Sequence, residues 1–446
     1  MNLHAADLRA DNHDGYLVGR PQAWFAFAMT FALMLFDYID RQVIVSLFPH
    51  LKTAWALSDK QLGALVSVIS IVVAVGGLPV ALLADRFSRV KSIVVMATVW
   101  SLATISCMFA RNYAHLFAAR AIVGVGETGY GSVGAALIAS LFPKRLRATL
   151  MGAFFAAASV GSVLGVLLGG VIAARWGWQA AFGVVGLPGL VLALLYMFVP
   201  DYKTVVMAPS SVQTRQSGNS LFHGVATALS SSRTLWWTCL GAAFQLIVVS
   251  TIWSWLPSYL NRYHGIAPDR AAMQAALVVL CGALGAFVWG VVADLVAARR
   301  QRNRLIVVAA LALVTLLVFT AAFGMTMPAN QQFLLIALGG FLMTCAVAPA
   351  SSVVFDVIHP GVRSTGAAVL SLFQNLFGLA IGPFVGGAMS DAWGLQTALA
   401  VMPLFSVIAA GCFLWAARSY EAELKRVANV ALAAAPTATP SAVASA

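Results

Sequence analysis

Ala173-Ala-Arg-Trp-Gly-Trp-Gln-Ala-Ala-Phe182 returns 217 positions later as Ser390-Asp-Ala-Trp-Gly-Leu-Gln-Thr-Ala-Leu399. The glycine ladder ahead of the first copy, Gly161, Gly165, Gly169 and Gly170, returns at the same shift as Gly378, Gly382, Gly386 and Gly387. Further upstream, Arg147-Ala-Thr149 matches Arg363-Ser-Thr365 at a shift of 216. Ala81-Leu-Leu-Ala-Asp85 matches Gly290-Val-Val-Ala-Asp294 at a shift of 209. Four matches near one offset are hard to obtain by chance, so the chain consists of two related halves.

Those halves belong in lipid. The sequence is 61% hydrophobic and 9% charged, against about 25% charged in soluble domains. A membrane-crossing helix needs about 20 mainly apolar residues. Twelve stretches qualify: 22–48, 61–83, 92–110, 113–141, 148–173, 178–199, 234–262, 271–293, 305–325, 331–356, 364–388 and 395–417. The expected fold is therefore an all-α membrane protein, with twelve transmembrane helices in two pseudo-symmetric six-helix bundles. The bundles are expected over 22–199 and 234–418, with a polar tail at 1–21 and a Pro-, Ser- and Gln-containing linker at 200–233. Residues 419–446 are expected to form a disordered tail, since Pro436 and Pro440 would break a helix there.

The net charge of +12 is informative through its distribution. Of 27 Lys and Arg residues, nineteen fall in segments on the side of the termini and six on the opposite side; Arg41 and Arg120 lie inside spans. That bias puts both termini in the cytoplasm of a multi-pass protein, expected in a bacterial inner membrane. The basic residues form no dense stripe, so nucleic acid is not an expected partner. Cys107, Cys239, Cys281, Cys345 and Cys412 lie in apolar spans without metal-ligand or disulfide spacing and read as packing residues. The first apolar run starts near Ala23 and is too long for a cleavable signal.

The first span carries Phe36-Asp37-Tyr38-Ile39-Asp40-Arg41-Gln42. A charge at a membrane helix centre costs about 2.5–3.5 kcal/mol on insertion scales, so three in one helix imply compensation or use. Asp37 and Arg41 are four apart and share a face, with Asp40 a turn from Asp37. The fourth span carries Arg120-Ala-Ile-Val-Gly-Val-Gly-Glu127, whose ionic residues are two turns apart on one face. Arg41 is seven residues before Phe48 and Arg120 seven after Tyr113, which puts both roughly 10 Å deep. Asp37 and Glu127 come out deeper. Facing one another, the two spans would form an alternating charge cluster. A bland reading is that these ions only lock the two helices together. The functional reading is a proton-coupled anion site: burial disfavours an ionised carboxylate and a nearby guanidinium favours it, so substrate or closure can tip the balance. Asp37, Asp40 and Glu127 are then the proton-coupling residues, and Arg41, Arg120 and Tyr38 the substrate contacts.

After span 2 the chain reads Ala84-Asp85-Arg86-Phe87-Ser88-Arg89-Val90-Lys91, with a weaker twin in Gly290, Asp294, Arg299 and Arg300. This loop resembles the Gly-x-x-x-Asp-Arg-x-Gly-Arg-Arg-like motif of the major facilitator superfamily. Ala81, Ser88 and Val90 are departures from it. The resemblance covers roughly residues 22–418. It implies that Asp85, Arg86, Arg89, Asp294, Arg299 and Arg363 act as a conformational latch, with Asp85 facing the start of span 11. A solvated, topology-setting charge cluster is the bland alternative.

A narrower likeness rests on the first half. Asp37-Tyr-Ile-Asp40-Arg41, Leu57-Ser-Asp-Lys-Gln-Leu-Gly63, Trp100-Ser-Leu-Ala-Thr104 and Gly124-Val-Gly-Glu127 are similar to segments of spinster-like lipid transporters. The anion:cation symporters share much of the Asp-Arg and Arg…Glu constellation. The likeness implies coupling or substrate roles for Asp40, Arg41, Arg120 and Glu127. Relatives often show Asn where this chain has Asp37. They also often place a Pro shortly after the Glu, and its absence here leads to the expectation of a less kinked span 4.

The second half has no buried charge in its first span, which carries Gln245, Ser250, Thr251, Trp253 and Trp255. Gln374 and Asn375 lie in span 11. Gln245, Trp253, Gln374 and Asn375 are taken as neutral substrate contacts, with membrane-interface anchoring an equal reading for Trp253 and Trp255. The glycine ladders are read as close helix contacts. The family's export signature is displaced, with Val166 in the usual Pro slot, so direction stays open.

The leading expectation is a proton-coupled secondary transporter of an organic anion or a lysolipid-like amphipath. Its expected partners are that substrate, protons and membrane lipids, and it is expected to be a monomer. Alternatives are a drug or metabolite exporter of the same fold, or a sensor that binds without transporting. No phosphate-binding Gly-rich loop before a Lys, metal constellation or nucleophile–base arrangement is present. An enzyme, an ATP-driven pump, a cofactor and a metal are therefore not expected.

Overall fold

The computed structural model describes residues 16–86, 88–201, 232–358 and 363–433. The first half contains α1 (Arg20–Trp55), α2 (Asp59–Arg86), α3 (Arg89–Cys107), α4 (Tyr113–Glu127), α5 (Tyr130–Leu141), α6 (Lys144–Trp176) and α7 (Trp178–Leu195). The second contains α8 (Arg233–His264), α9 (Pro268–Ala297), α10 (Asn303–Gly324), α11 (Ala329–Met343) and α12 (Val347–Asp356). It ends with α13 (Arg363–Phe373), α14 (Ile381–Trp393), α15 (Leu395–Val401) and α16 (Phe405–Ala433). Twelve spans among the described residues are long and apolar enough to cross a membrane. The fold is all-α, as the sequence leads one to expect.

The repeated decapeptide has a local cause. Gly177 and Gly394 sit at matching places in its two copies, with φ of +85° and +86°. Each turns the chain between a ladder-bearing span and the span after it, in a conformation only glycine adopts freely. The ladders also match in contact. Gly161, Gly165 and Gly169 press on the α1 carbonyls of Leu35, Ile39 and Val43. Gly378, Gly382 and Gly386 press on α8, with Gly382 against the Ile247 carbonyl. A side chain at these points would displace the partner backbone, so small residues set how closely the helices pack.

The apolar interior shows how the halves meet. One core combines Val43, Phe48 and Leu62 of the first half with Ile252, Trp255 and Val279 of the second. It fills the end of the molecule opposite the termini, called here the far end. Toward the terminal, or near, end the core splits in two. One part gathers Trp100, Tyr130 and Phe154 of the first half, and the other Val353, Phe373 and Phe413 of the second. The bundles therefore join at the far end and part at the near end.

Two expectations need correction. Span 4 is broken outright rather than less kinked: α4 stops at Glu127, Thr128 is extended (ψ 120°), and Gly129 takes φ +82°. Glycine supplies the break without a proline, and the Thr128 hydroxyl bonds back to the Gly124 carbonyl at 2.6 Å. Span 10 is likewise interrupted between Met343 and Val347, and span 11 contains a π-helical stretch at Gln374–Leu379. Finally, the last helix runs to Ala433, so residues 419–433 are helical rather than part of a disordered tail. Glu423 on that helix accepts from the Ser232 hydroxyl and from the backbone N–H groups of Arg233 and Thr234. It thereby caps the start of α8, where a carboxylate is favoured.

Candidate functional site

The charges of spans 1 and 4 meet inside the first bundle. Asp37, Asp40, Arg120 and Glu127 are all buried, at 3%, 1%, 0% and 2% exposure. They sort into two groups. In the first, an Arg120 terminal nitrogen reaches Asp40 Oδ1 and the Asp40 carbonyl, each at 3.3 Å. The Thr104 hydroxyl, from α3, donates to Asp40 Oδ2 at 2.6 Å. This group ties α1, α3 and α4 together. A buried pair needs such additional donors, because desolvation of both ions otherwise offsets their attraction.

The second group surrounds Arg41. Its Nε lies 2.9 Å from Glu127 Oε2 and 3.7 Å from Asp37 Oδ1. The Tyr38 ring lies 5.4 Å from the guanidinium carbon, within cation–π range. Arg41 thus lies between the carboxyl groups of Asp37 and Glu127. Asp37 Oδ1 and both Glu127 oxygens have no aligned hydrogen-bond donor, and the Arg41 contact is ionic rather than a well-directed hydrogen bond. The Arg41 side chain is 17% exposed, whereas that of Arg120 is fully buried. Arg41 is thus the basic group of the cluster that a solute can reach in this conformation.

The second half carries a neutral counterpart. The ladder contacts carry Ile39 onto Ile247, and with it Asp37 onto Gln245. The broken spans stop at matching places, Glu127-Thr128 and Met343-Thr344. Where Asp37 and Glu127 flank Arg41 in the first half, Gln245 Nε2 donates to the Met343 carbonyl at 3.0 Å in the second. One half holds an ionisable pair where the other holds an amide–carbonyl bond.

The remaining expected contacts are placed differently from one another. The Gln245 amide nitrogen is engaged within its own bundle, leaving its buried carbonyl oxygen without a partner. Trp253 packs on Gly282, and its indole nitrogen has no partner. Trp255 is wholly buried, donates to the Pro383 carbonyl at 3.0 Å and meets the Phe48 ring, so it is not an interface anchor. Asn375 donates to Ser371 in the preceding turn, and Gln374 is half-buried in the π-helical stretch.

Three of the latch residues, Arg89, Asp294 and Arg299, have described side chains. Arg89 donates to Ser140 Oγ at 2.9 Å, within its own bundle. Asp294 pairs with Arg304 at 2.8 Å, and Arg304 also holds Asp356, which accepts from the Tyr420 hydroxyl. Arg299 is exposed. The side chains of Asp85, Arg86 and Arg363 lie outside the described residues. Sequence reasoning passed over Thr104, although it closes the quoted stretch in span 3. It also passed over Arg304, counted only as a topology charge.

The chain resembles known transporters. The sequence profile of the Major Facilitator Superfamily matches residues 30–380 and again 239–444. An MFS-type efflux pump of Mycolicibacterium smegmatis is 27% identical, over 88% of this chain and 90% of the pump. A gallate transporter of Pseudomonas putida is 26% identical, over 87% of this chain and 89% of its own. The crystal structure of a bacterial homolog to the human lysosomal transporter Spinster, in an inward-facing and unoccupied conformation, superposes with a TM-score of 0.81. That match has 22% identity and covers 91% of this chain and 99% of that one.

Proposed function

This chain belongs to the Major Facilitator Superfamily, and from that premise we propose that it is a proton-coupled secondary transporter of an organic anion, working by alternating access. It is an integral multi-pass membrane protein and a transporter, not an enzyme. The observation that carries the finer reading is the seat of Arg41 between two buried carboxyl groups.

Charge balance gives the coupling. With Asp37 and Glu127 both ionised, the group including Arg41 has one net negative charge and repels an anion. One proton makes it neutral. A second leaves Arg41 unopposed, and its planar guanidinium then suits a carboxylate. Protons and anion therefore bind together, which makes the coupling a symport. Tyr38 offers an aromatic face beside the guanidinium for the substrate body. The neutral wall of the second bundle, with Gln245, Trp253, Gln374 and Asn375, accepts the uncharged part. The gallate transporter relative supports an organic anion as the substrate class.

Asp40 and Arg120 hold span 1 against span 4. The bundles at 22–199 and 234–418 are the two rocking bodies, joined through 200–233. Asp85, Arg86, Arg89, Asp294, Arg299 and Arg363 belong to closure of the near end. Both termini are assigned to the cytoplasm on the charge bias of the loops.

The test is uptake into proteoliposomes across an imposed pH gradient, using gallate and other small carboxylates. Accumulation should require the gradient and collapse with a protonophore. Binding without gradient-driven accumulation of any anion in the panel would overturn the reading.

A further inference from the structure

The last helix outruns its counterpart in the first half. At the shift of 217, Phe198 matches Trp415. Phe198 closes the final turn of span 6, Tyr196–Phe198, whereas α16 carries on past Trp415 to Ala433. The 29 residues of α16 make a helix of about 44 Å, against a hydrocarbon layer of about 30 Å. The added turns therefore lie beyond the lipid tails, at the near end.

One face of α16 stays exposed along this length. Ile408, Gly411 and Trp415 follow one another at helical spacing, and Arg418, Ala422, Lys425 and Arg426 continue the same stripe. The stripe turns from apolar to basic in the single turn between Trp415 and Arg418. There the Arg418 guanidinium carbon lies 4.7 Å from the centre of the Trp415 ring. A tryptophan at such a change of polarity marks the depth of the lipid headgroups.

The start of α8 brings similar groups to the same level. Trp237 meets Trp415 at 5.8 Å between ring centres, and Arg233 is exposed one turn before Trp237. A 2.8 Å hydrogen bond between the Thr234 and Ser419 hydroxyls fixes the two helices side by side. The carboxylates nearby are engaged elsewhere. Glu423 accepts from Ser232 and from the backbone of Arg233 and Thr234, and Glu421 accepts from the Arg302 N–H at 3.5 Å. Among the described residues, Arg233, Arg418, Lys425 and Arg426 have no carboxylate partner.

We propose that these four cations, beside Trp237 and Trp415, seat the headgroup of an anionic phospholipid. Guanidinium groups suit a phosphate, and each basic side chain at an acidic membrane surface adds to the attraction. The basic stripe runs on from the lipid-facing one, so a phospholipid whose tails lie along Ile408 delivers its phosphate to Arg418. The first half would repel the same headgroup. Asp201, which accepts from Ser88, stands there at the position matching Arg418. The proposal is independent of the transport reading.

The test incubates the full-length, detergent-purified chain with equal amounts of phosphatidylglycerol and phosphatidylcholine, repurifies it and measures the retained lipids by mass spectrometry. The wild type should keep the anionic lipid at least tenfold over the zwitterionic one, and less of it as salt rises. Combining Arg418→Gln, Lys425→Gln and Arg426→Gln should lower that ratio at least fivefold. Combining Arg111→Gln, Arg175→Gln and Arg270→Gln removes three exposed charges at the far end and should leave it within twofold. A second arm places a fluorophore on Ala422→Cys or, at the far end, on Thr397→Cys, both exposed. A Cys281→Ser background suffices, because the other four native cysteines are buried. Phosphatidylglycerol spin-labelled near its headgroup should quench Ala422→Cys far more than phosphatidylcholine carrying the same label, and the two should quench Thr397→Cys alike. This arm decides the matter should the near-end triple variant fail to fold. An unchanged ratio in that variant, equal losses in both triple variants, or equal quenching of Ala422→Cys by the two lipids would overturn the site. Displacement of the retained lipid by an equal concentration of inorganic phosphate would overturn a phospholipid as its occupant.

Discussion

Arg41 of span 1 and Glu127 of span 4 stand 2.9 Å apart, Nε to Oε2, at the point where span 4 breaks. The break ends the helix just after the carboxylate, which leaves Glu127 at a helix terminus beside Asp37. Position and partner together make Glu127 the group whose loss should uncouple transport from protons.

Glu127→Gln removes the proton-accepting site while keeping shape and hydrogen-bonding capacity. Gradient-driven accumulation in proteoliposomes should fall at least tenfold, while exchange of internal for external substrate continues. Accumulation at the wild-type level would remove Glu127 from the relay.

Arg41 and Arg120 should behave differently. Arg41→Ala removes a charged donor from a reachable site, worth about 1.5–3 kcal/mol, and KM for anions should rise roughly 10- to 100-fold. Arg120→Ala strands Asp40 in the interior, which should destabilise the protein by about 3–5 kcal/mol. Thermal unfolding of the detergent-purified variants, read beside substrate binding, separates the two. Equal effects on both readouts would contradict the division of roles.

Thr104→Val deletes the 2.6 Å hydrogen bond to Asp40 with little change of volume. The expected loss is about 1.5–3 kcal/mol, as for other hydrogen bonds to charged groups. Thr104→Ser should restore most of it. The melting temperatures of the three proteins decide whether the hydroxyl or the methyl group carries the contact.

Gly129→Ala imposes a side chain at φ +82°. The direct penalty is about 1–2 kcal/mol. If the helix relieves it by straightening, Glu127 moves away from Arg41. The variant should then lose proton-driven accumulation more than it loses melting temperature. A loss confined to stability would show that the break does not position Glu127.

The two-bundle fold was legible because duplication and hydropathy do not depend on side-chain detail. The ionic residues of spans 1 and 4 were legible for a similar reason: charges in apolar helices stand out at any orientation. Their pairing was only partly so, since helical spacing puts Arg120 and Glu127 on one face without saying which meets Asp40 and which Arg41. The break in span 4 was hidden because Gly129 is one of 37 glycines and carries no mark of its backbone conformation. The pairing of Asp59 with Arg262 across the far end was hidden for another reason. Each lies at the end of a span, where a charge is ordinary, and their meeting depends on the docking of two bundles more than 200 residues apart in sequence.

The bonds at either side of the connecting segment have a mechanical consequence. Ser88 donates to Asp201 at 2.7 Å, and Glu423 fastens Ser232 on the other side. The described ends of the connection are therefore fastened to α3 and α16. Thirty residues separate the two fastenings, enough at full extension to reach roughly 100 Å. Severing the connection by expressing the halves as separate polypeptides should leave a pair that reassembles and works.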